Sequence, residues 1–198
     1  MLEWPEIEVY KTVLSPRITG ATITAIERAD QKVLQASDAE LEREVIGKTI
    51  WFLERRGKHL LFHLDNGKRL QVHLSNKAVL TYESGGLEQI KPPQITIHTG
   101  AGRLNISGLR ANDIQLLSIK QVEEAMKSYG PDPFDKRLTF NRFMELFAKK
   151  RGALKSSLSD QQLLAGIGPL YADEIAFAAA VRPDLKIPLI SKKQWERL

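Results

Sequence analysis

The sequence contains no cysteine. That excludes a disulfide, a thiol nucleophile and any thiolate-ligated zinc site from this chain. No stretch approaches the about 18 consecutive apolar residues that a membrane-spanning helix requires, so no membrane partner is expected. The opening Met1-Leu2-Glu3-Trp4-Pro5-Glu6 is acidic and lacks an apolar signal core. It does not read as a secretory leader, and a cytoplasmic location is expected. Internal repeats and low-complexity tracts are also missing, which sets aside solenoids and fibrous arrays.

What is present describes a globular protein. The 198 residues are 42% hydrophobic and 27% charged, enough apolar material for one large domain or two small ones and too much for a disordered chain. The net charge is +5 and the isoelectric point about 9.4. Basicity of this size suits an anionic partner such as nucleic acid, although many small proteins are mildly basic.

Hydrophobic spacing divides the chain. Residues 5–15 read as a helix, with Pro5 at a first helical position and Ile7, Tyr10 and Leu14 on one face. Short β-branched segments follow at 21–26, 49–53, 60–64, 69–74 and 77–82. Asp65-Asn66-Gly67 is a hairpin turn, and 95–99 should pair with 103–106 across Gly100-Ala101-Gly102. Strands this short and closely spaced predict a two-layer β-sandwich. Tyr129-Gly130-Pro131-Asp132-Pro133 breaks the pattern. Beyond it the spacing is helical. Thr139 caps a helix with Phe140, Phe143, Met144 and Phe147 in one stripe. A short helix is expected at 154–158, another opening at Asp160, a buried Ala-rich one at 170–180, and a last one running from Ser191 to Leu198. That uncapped ending suggests that more protein follows. The fold class expected is α+β: an N-terminal helix plus a two-layer β-sandwich in 1–128, then an all-helical domain in 129–198.

Two features carry chemistry on their own. Gly166-Ile167-Gly168-Pro169 is a tight turn just before a helix N-terminus, where backbone N–H groups and the helix dipole favour a phosphate. On spacing alone a plain corner between helices is the better reading, because Gly-containing turns between helices are common. Just upstream, Lys149, Lys150, Arg151 and Lys155 form a basic cluster. Folded back beside the turn, it would complete a phosphate clamp.

The stretch from Lys155 through Ala165-Gly166-Ile167-Gly168 to Tyr171-Ala172-Asp173-Glu174, Phe177 and Arg182-Pro183 resembles the helix–two-turn–helix element of the formamidopyrimidine-DNA glycosylase and endonuclease VIII family. Glu3-Trp4-Pro5-Glu6-Ile7-Glu8 is similar to the family's opening. Arg55-Arg56-Gly57-Lys58-His59-Leu60-Leu61, followed by His73-Leu74-Ser75, resembles its lysine-bearing strand pair, and Tyr129 to Pro133 its linker. The matches run in order along nearly the whole chain. The resemblance implies excision of oxidised bases. The N-terminal amine attacks C1′ of a flipped nucleotide, a Schiff base forms, and elimination cuts the strand. Mapped onto this sequence, the amine belongs to Met1 or Leu2, and Glu3 is the acid–base carboxylate. Glu6 supports the N-terminal segment, and Lys58 contacts the phosphate or protonates the leaving group. His73, Asn76 and Arg110, then Lys149 to Arg151, Lys155, Gly166, Gly168 and Tyr171, are the DNA-contacting set. Double-stranded or damaged DNA is the expected partner of a monomer. No cofactor is expected, because the family's zinc ribbon has no counterpart in these residues.

The sequence departs from the pattern at defined positions. Leu2 stands where the family has its nucleophilic proline, so Met1 is expected to be retained and the amine displaced by one residue. Pro169 replaces an asparagine and can neither donate from its nitrogen nor hydrogen-bond from its side chain. Asn76 replaces a methionine, and Leu109-Arg110-Ala111 replaces Arg-Arg-Phe. The leading expectation is a damaged-DNA glycosylase with abasic-site lyase chemistry. A non-catalytic paralogue that binds damaged or abasic DNA is the alternative, and a protein-binding helical adaptor a third.

Overall fold

The computed structural model describes residues 2–75, 77–84 and 92–198. It divides into two compact units, Met1–Met126 and Lys127–Leu198. Among the described residues no helix is long and apolar enough to cross a membrane.

The first unit begins with α1 (Trp4–Ile18), which buries Ile7, Leu14 and Ile18. Pro5 sits in its first turn, where a missing N–H costs nothing. The helix runs past Pro16, beyond the end expected at residue 15. Proline removes one helical bond, to the Thr12 carbonyl. Around it, Ser15 Oγ donates to the Lys11 carbonyl at 2.7 Å and Arg17 donates to the Val13 carbonyl. Fully buried Ile18 ties the last turn to the core.

Among the described residues eight strands follow: β1 (Ile23–Arg28), β2 (Ile50–Arg56), β3 (His59–Leu64), β4 (Lys68–His73), β5 (Val79–Glu83), β6 (Ile95–Thr99), β7 (Gly102–Ser107) and β8 (Ile114–Ser118). They form two antiparallel sheets, ordered β1-β6-β7-β5 and β2-β3-β4-β8. The expected pairing of β6 with β7 is present. One apolar cluster draws on both sheets and on α1: Ile23, Ile95, Ile97, Leu104 and Ile106 from one, Leu53, Leu60, Phe62, Leu70 and Val72 from the other. A shared core between two sheets is what defines a sandwich. Between β1 and β2 lies α2 (Asp38–Glu44), and β8 leads into α3 (Ile119–Met126).

The second unit holds α4 (Phe140–Phe147), α5 (Leu154–Leu158), α6 (Pro169–Ala178) and α7 (Lys192–Trp195) around Phe147, Leu158, Leu164, Ile167, Ala172 and Trp195. Thr139 caps α4 as expected, accepting from the Arg142 N–H. Three expectations need correction. No helix opens at Asp160; its carbonyl and carboxylate instead organise a single turn by accepting from Leu163, Leu164 and Gln162. Only one face of α6 is buried, through Ala172 and Ala176, while Phe177 is 85% exposed. The last helix closes after one turn at Trp195 and does not run to Leu198. Its start is held by a reciprocal Ser191–Gln194 capping box.

Candidate active site and nucleic-acid interface

In the first unit, chemistry gathers at the start of α1. Glu3 is the N-cap residue, and its side chain is fully buried. Its backbone N–H donates to Glu6 Oε2 at 3.0 Å, and its own carboxylate accepts from the Glu6 backbone N–H. This pair of bonds is a capping box made by two glutamates. Glu6 therefore fixes the N-terminal segment, and Glu3 is oriented by backbone. Leu2 packs against the core of the sandwich. Met1 and Asn76 lie outside the described residues.

Lys58 stands on the two-residue loop joining β2 and β3, closed by the Arg56–His59 pair. Gly57 beside it takes φ +54, the sign that short hairpin loops demand. Lys58 is half-buried, and burial lowers its pKa, while the negative charge of Glu3 opposes that shift. The structure thus brings Glu3 and Lys58 within electrostatic reach. Arg55 sets that placement. Its Nε donates to Glu8 Oε2 at 2.8 Å, its Nη1 to the Gly57 carbonyl at 3.2 Å, and its guanidinium lies 4.5 Å from the Trp4 ring centroid. One arginine joins the first turns of α1 to the loop that carries Lys58.

His73 and Arg110 meet near the end of β4. His73 Nδ1 lies 3.2 Å from Asp113 Oδ1, and Asp113 Oδ2 accepts from the Arg110 N–H at 2.7 Å. The Arg110 side chain is exposed. The segments on either side of Asn76 also touch this loop. Ser75 Oγ donates to the Gly108 carbonyl at 3.2 Å, and a Cβ on Gly108 would stand 1.8 Å from the Lys77 carbonyl oxygen. With φ +73 as well, only glycine fits there. Gln94 brackets Leu109 from the other side, accepting from its N–H at 2.7 Å and donating to its carbonyl at 3.0 Å.

In the second unit two lysines of the basic cluster bond acidic residues on either side of the Gly turn. Lys150 Nζ bonds Asp160 at 2.9 Å, at the entry to the turn, and Lys155 Nζ bonds Asp173 at 2.6 Å, on α6 just beyond it. Lys149 and Arg151 are exposed. Gly166 takes φ +99, and Gly168 is the N-cap of α6 with Pro169 in its first turn. Tyr171 packs against the unit's apolar cluster. Sequence reasoning missed Gln161. Its Oε1 accepts from the Gly166 N–H at 2.8 Å, and its Nε2 donates to the Ile167 carbonyl at 2.6 Å. One side chain thereby holds both sides of the turn. Its Gln type gives no signal in isolation; its place five residues before Gly166 is the clue. The segment expected to act as a linker docks here too. Gly130 donates to the Gln161 carbonyl at 2.8 Å, and Ala165 to the Pro131 carbonyl at 3.0 Å.

A helix-fronted β-sandwich followed by a helical unit turned on Gly-Ile-Gly is the architecture of the DNA repair glycosylases that carry a helix–two-turn–helix element. The family model described as the formamidopyrimidine-DNA glycosylase N-terminal domain matches residues 1–115, and that described as the H2TH domain of the same glycosylase matches residues 129–198. The formamidopyrimidine-DNA glycosylase of Carboxydothermus hydrogenoformans is 33% identical over 199 residues, covering 100% of this chain and 73% of the relative. That of Bacillus subtilis is 31% identical over 209 residues, covering 100% and 74%. Among solved structures, the Lactococcus lactis glycosylase bound non-covalently to DNA containing an abasic site superposes with a TM-score of 0.87 at 27% identity, covering 98% of this chain and 76% of that one. MutM in complex with DNA containing carbocyclic 8-oxo-G gives 0.89 at 27% identity, covering 98% and 75%. The chain belongs to the formamidopyrimidine-DNA glycosylase family.

Proposed function

We propose that the chain is a damaged-DNA glycosylase with abasic-site lyase chemistry, acting as a cytoplasmic monomer on double-stranded DNA. The observation that carries this reading is the fully buried Glu3 at the head of α1, with Lys58 in electrostatic reach. In the proposed sequence the N-terminal amine adds to C1′ of the damaged nucleotide and the base leaves with a proton. The sugar ring opens at C1′–O4′ to give a Schiff base, loss of a C2′ proton expels the 3′ phosphate, and water then hydrolyses the C=N bond to free the amine. Glu3 moves the protons, being a carboxylate fixed by backbone bonds two residues from the N-terminus in sequence. Lys58 meets the phosphate or the departing oxygen. An α-amine has a pKa of about 7.7–8.0, so a useful fraction is neutral at working pH. The scheme calls for no cofactor. In the second unit, the Gly turn and the lysines beside it would hold the DNA backbone. Support comes from relatives solved on abasic and oxidised-base DNA.

A second reading, a non-catalytic protein that binds damaged DNA, draws on Leu2, whose side chain is committed to core packing, and on the exposed Pro169. Borohydride trapping on an abasic duplex, followed by peptide mapping, separates the two. The proposal expects a slow adduct at the N-terminus, made faster by Leu2→Pro. No adduct from either protein, with DNA binding retained, would establish the second reading.

A further inference from the structure

Asp113 is buried, and it serves two residues expected to contact DNA. Oδ1 lies 3.2 Å from His73 Nδ1 and Oδ2 accepts from the Arg110 N–H at 2.7 Å. Its backbone joins in as well. The His73 N–H donates to the Asp113 carbonyl at 2.7 Å, and the Asp113 N–H to the Arg110 carbonyl at 3.2 Å. Resting on the glycosylase reading above, we propose that Asp113 is a positioning residue: it aims the His73 ring and the loop carrying Arg110 at one stretch of DNA backbone.

The chemistry of the carboxylate makes the aim specific. An ionised carboxylate only accepts, so the hydrogen of a neutral His73 ring sits on Nδ1. Nε2 is then the nitrogen left to meet a ligand. The ring cannot drift, because His59, paired with it across the β3–β4 ladder, lies against it at 4.8 Å between centroids. His59 is buried and its pKa falls to about 4, first through burial and then through its neighbour His73. At neutral pH it is an uncharged platform for the ring. The loop is equally constrained, by Gln94 at Leu109 and by the Asn112 N–H donating to the Lys32 carbonyl at 2.9 Å. Asn112 adopts φ +63, a left-handed conformation that asparagine tolerates. Only a side chain with two acceptor oxygens can accept from both a His73 Nδ1–H and the Arg110 N–H, one oxygen to each. An amide in its place has one.

Imidazole nitrogen chemical shifts read the tautomer without DNA, at about pH 8, above the ordinary histidine range. The natural protein should show His73 with its hydrogen on Nδ1, and Asp113→Asn should weaken that preference. Hydrogen on Nε2 in the natural protein overturns the proposal. On an abasic duplex, Asp113→Asn should weaken binding about tenfold, as for a lost charge-assisted hydrogen bond. His73→Ala alone should cost about the same, yet add almost nothing in the Asp113→Asn background. Lys155→Ala should cost the same factor in both backgrounds, which a merely damaged fold would not give. Asp113→Ser offers the same comparison should the amide variant not fold. Multiplying losses from His73→Ala and Asp113→Asn would overturn the positioning role alone. A natural protein with the Nδ1 tautomer that binds no duplex would overturn the DNA reading, and the positioning role with it.

Discussion

Arg55 and Glu8 stand 47 positions apart in sequence and meet at 2.8 Å, with the Arg55 side chain almost wholly buried and Glu8 partly so. Through this contact the loop bearing Lys58 and the helix beginning behind Glu3 are held as one piece. Removing one partner of a buried pair leaves the other poorly solvated. Arg55→Ala should therefore lower stability by about 1–3 kcal/mol, read as a shift in the denaturant midpoint. It should also slow adduct formation more than it weakens DNA binding. Arg55→Lys keeps the charge but loses the flat contact with Trp4, and should recover part of both losses.

Acid should weaken the first unit by two routes. Burial tends to raise the Glu8 carboxyl, but hydrogen bonds and charge from Lys11 and Arg55 outweigh it and hold the group below its usual value. Its stabilising contribution is present above the unfolded value of 4.5 and is lost as pH falls through the lower folded value. His59 works in a different window. Its folded value is about 4 against 6.5 unfolded, so between these the unfolded chain binds a proton that the folded one refuses. Stability should thus fall as pH drops from 6.5 toward 4, by on the order of 3 kcal/mol in all. His59→Phe should flatten this limb of a plot of stability against pH. An unchanged slope would remove His59 as its source.

Glu3 and Lys58 make a prediction about reactivity. Burial makes the Lys58 amine easier to deprotonate than an ordinary lysine, while Glu3 holds it back. This makes Lys58 a stronger rival nucleophile than its sequence context indicates. In Glu3→Gln the opposing charge is gone and the Lys58 pKa should fall further. The minor adduct at Lys58 should then appear at lower pH than in the natural protein, while the adduct at the N-terminus forms more slowly. Peptide mapping of trapped complexes across pH resolves the two sites. A Lys58 profile that does not move would show that Glu3 does not act on it.

The lysines flanking the Gly turn predict salt dependence. Lys155 and Asp173 are each nearly half exposed, so their ion pair contributes little to stability and breaking it should leave the fold intact. Duplex affinity should drop steeply with added salt, and Lys155→Glu should weaken binding to all sequences alike. Competition between unrelated duplexes would expose any sequence-dependent loss, and such a loss would remove Lys155 from the backbone contacts.

Much of the architecture was legible in the sequence because its signals are local. The Asp65-Asn66-Gly67 turn, the Gly100–Gly102 corner and the Thr139 cap follow from turn chemistry and capping. The helix α2 escaped because only Leu41 of its seven residues is buried, leaving almost no apolar period to read. Its Ser37 cap was the available clue. The strand β8 escaped because its alternation is weak: only Ile114 is buried. The turn at Asp160 shows the same limit from the other side, since an acidic residue before apolar ones suits a helix start and an isolated turn equally well.

The site was legible only in part, for a related reason. Glu3, Lys58, His73 and the Gly turn stand in recognisable strings, whereas the residues that orient them do not. Arg55 finds Glu8 across 47 positions, Asp113 finds His73 across 40, and Lys155 finds Asp173 across 18. Gln161 is nearer its target, but an uncharged amide in a loop announces nothing. Supporting contacts are made by the fold, so they become visible only once strand register is known.

Among the described residues, three of the four outer strands carry at least one backbone contact beyond their own sheet. At one corner Thr22 bridges Thr49, with Gly20 donating to the Ile50 carbonyl and Ile23 to that of Lys48, so the outer strands β1 and β2 are stitched together where they begin. Along β8, the other outer strand of the second sheet, Leu34 lies in a parallel bridge to Ile114. An unpaired strand border is an invitation for another copy of the chain to add its own strand and start an aggregate. Here the start of β1 and β2 and the start of β8 are met by backbone of the same molecule. A basic protein held at high local concentration along a polyanion would meet its own copies often, and at these places there is less main chain for them to grip.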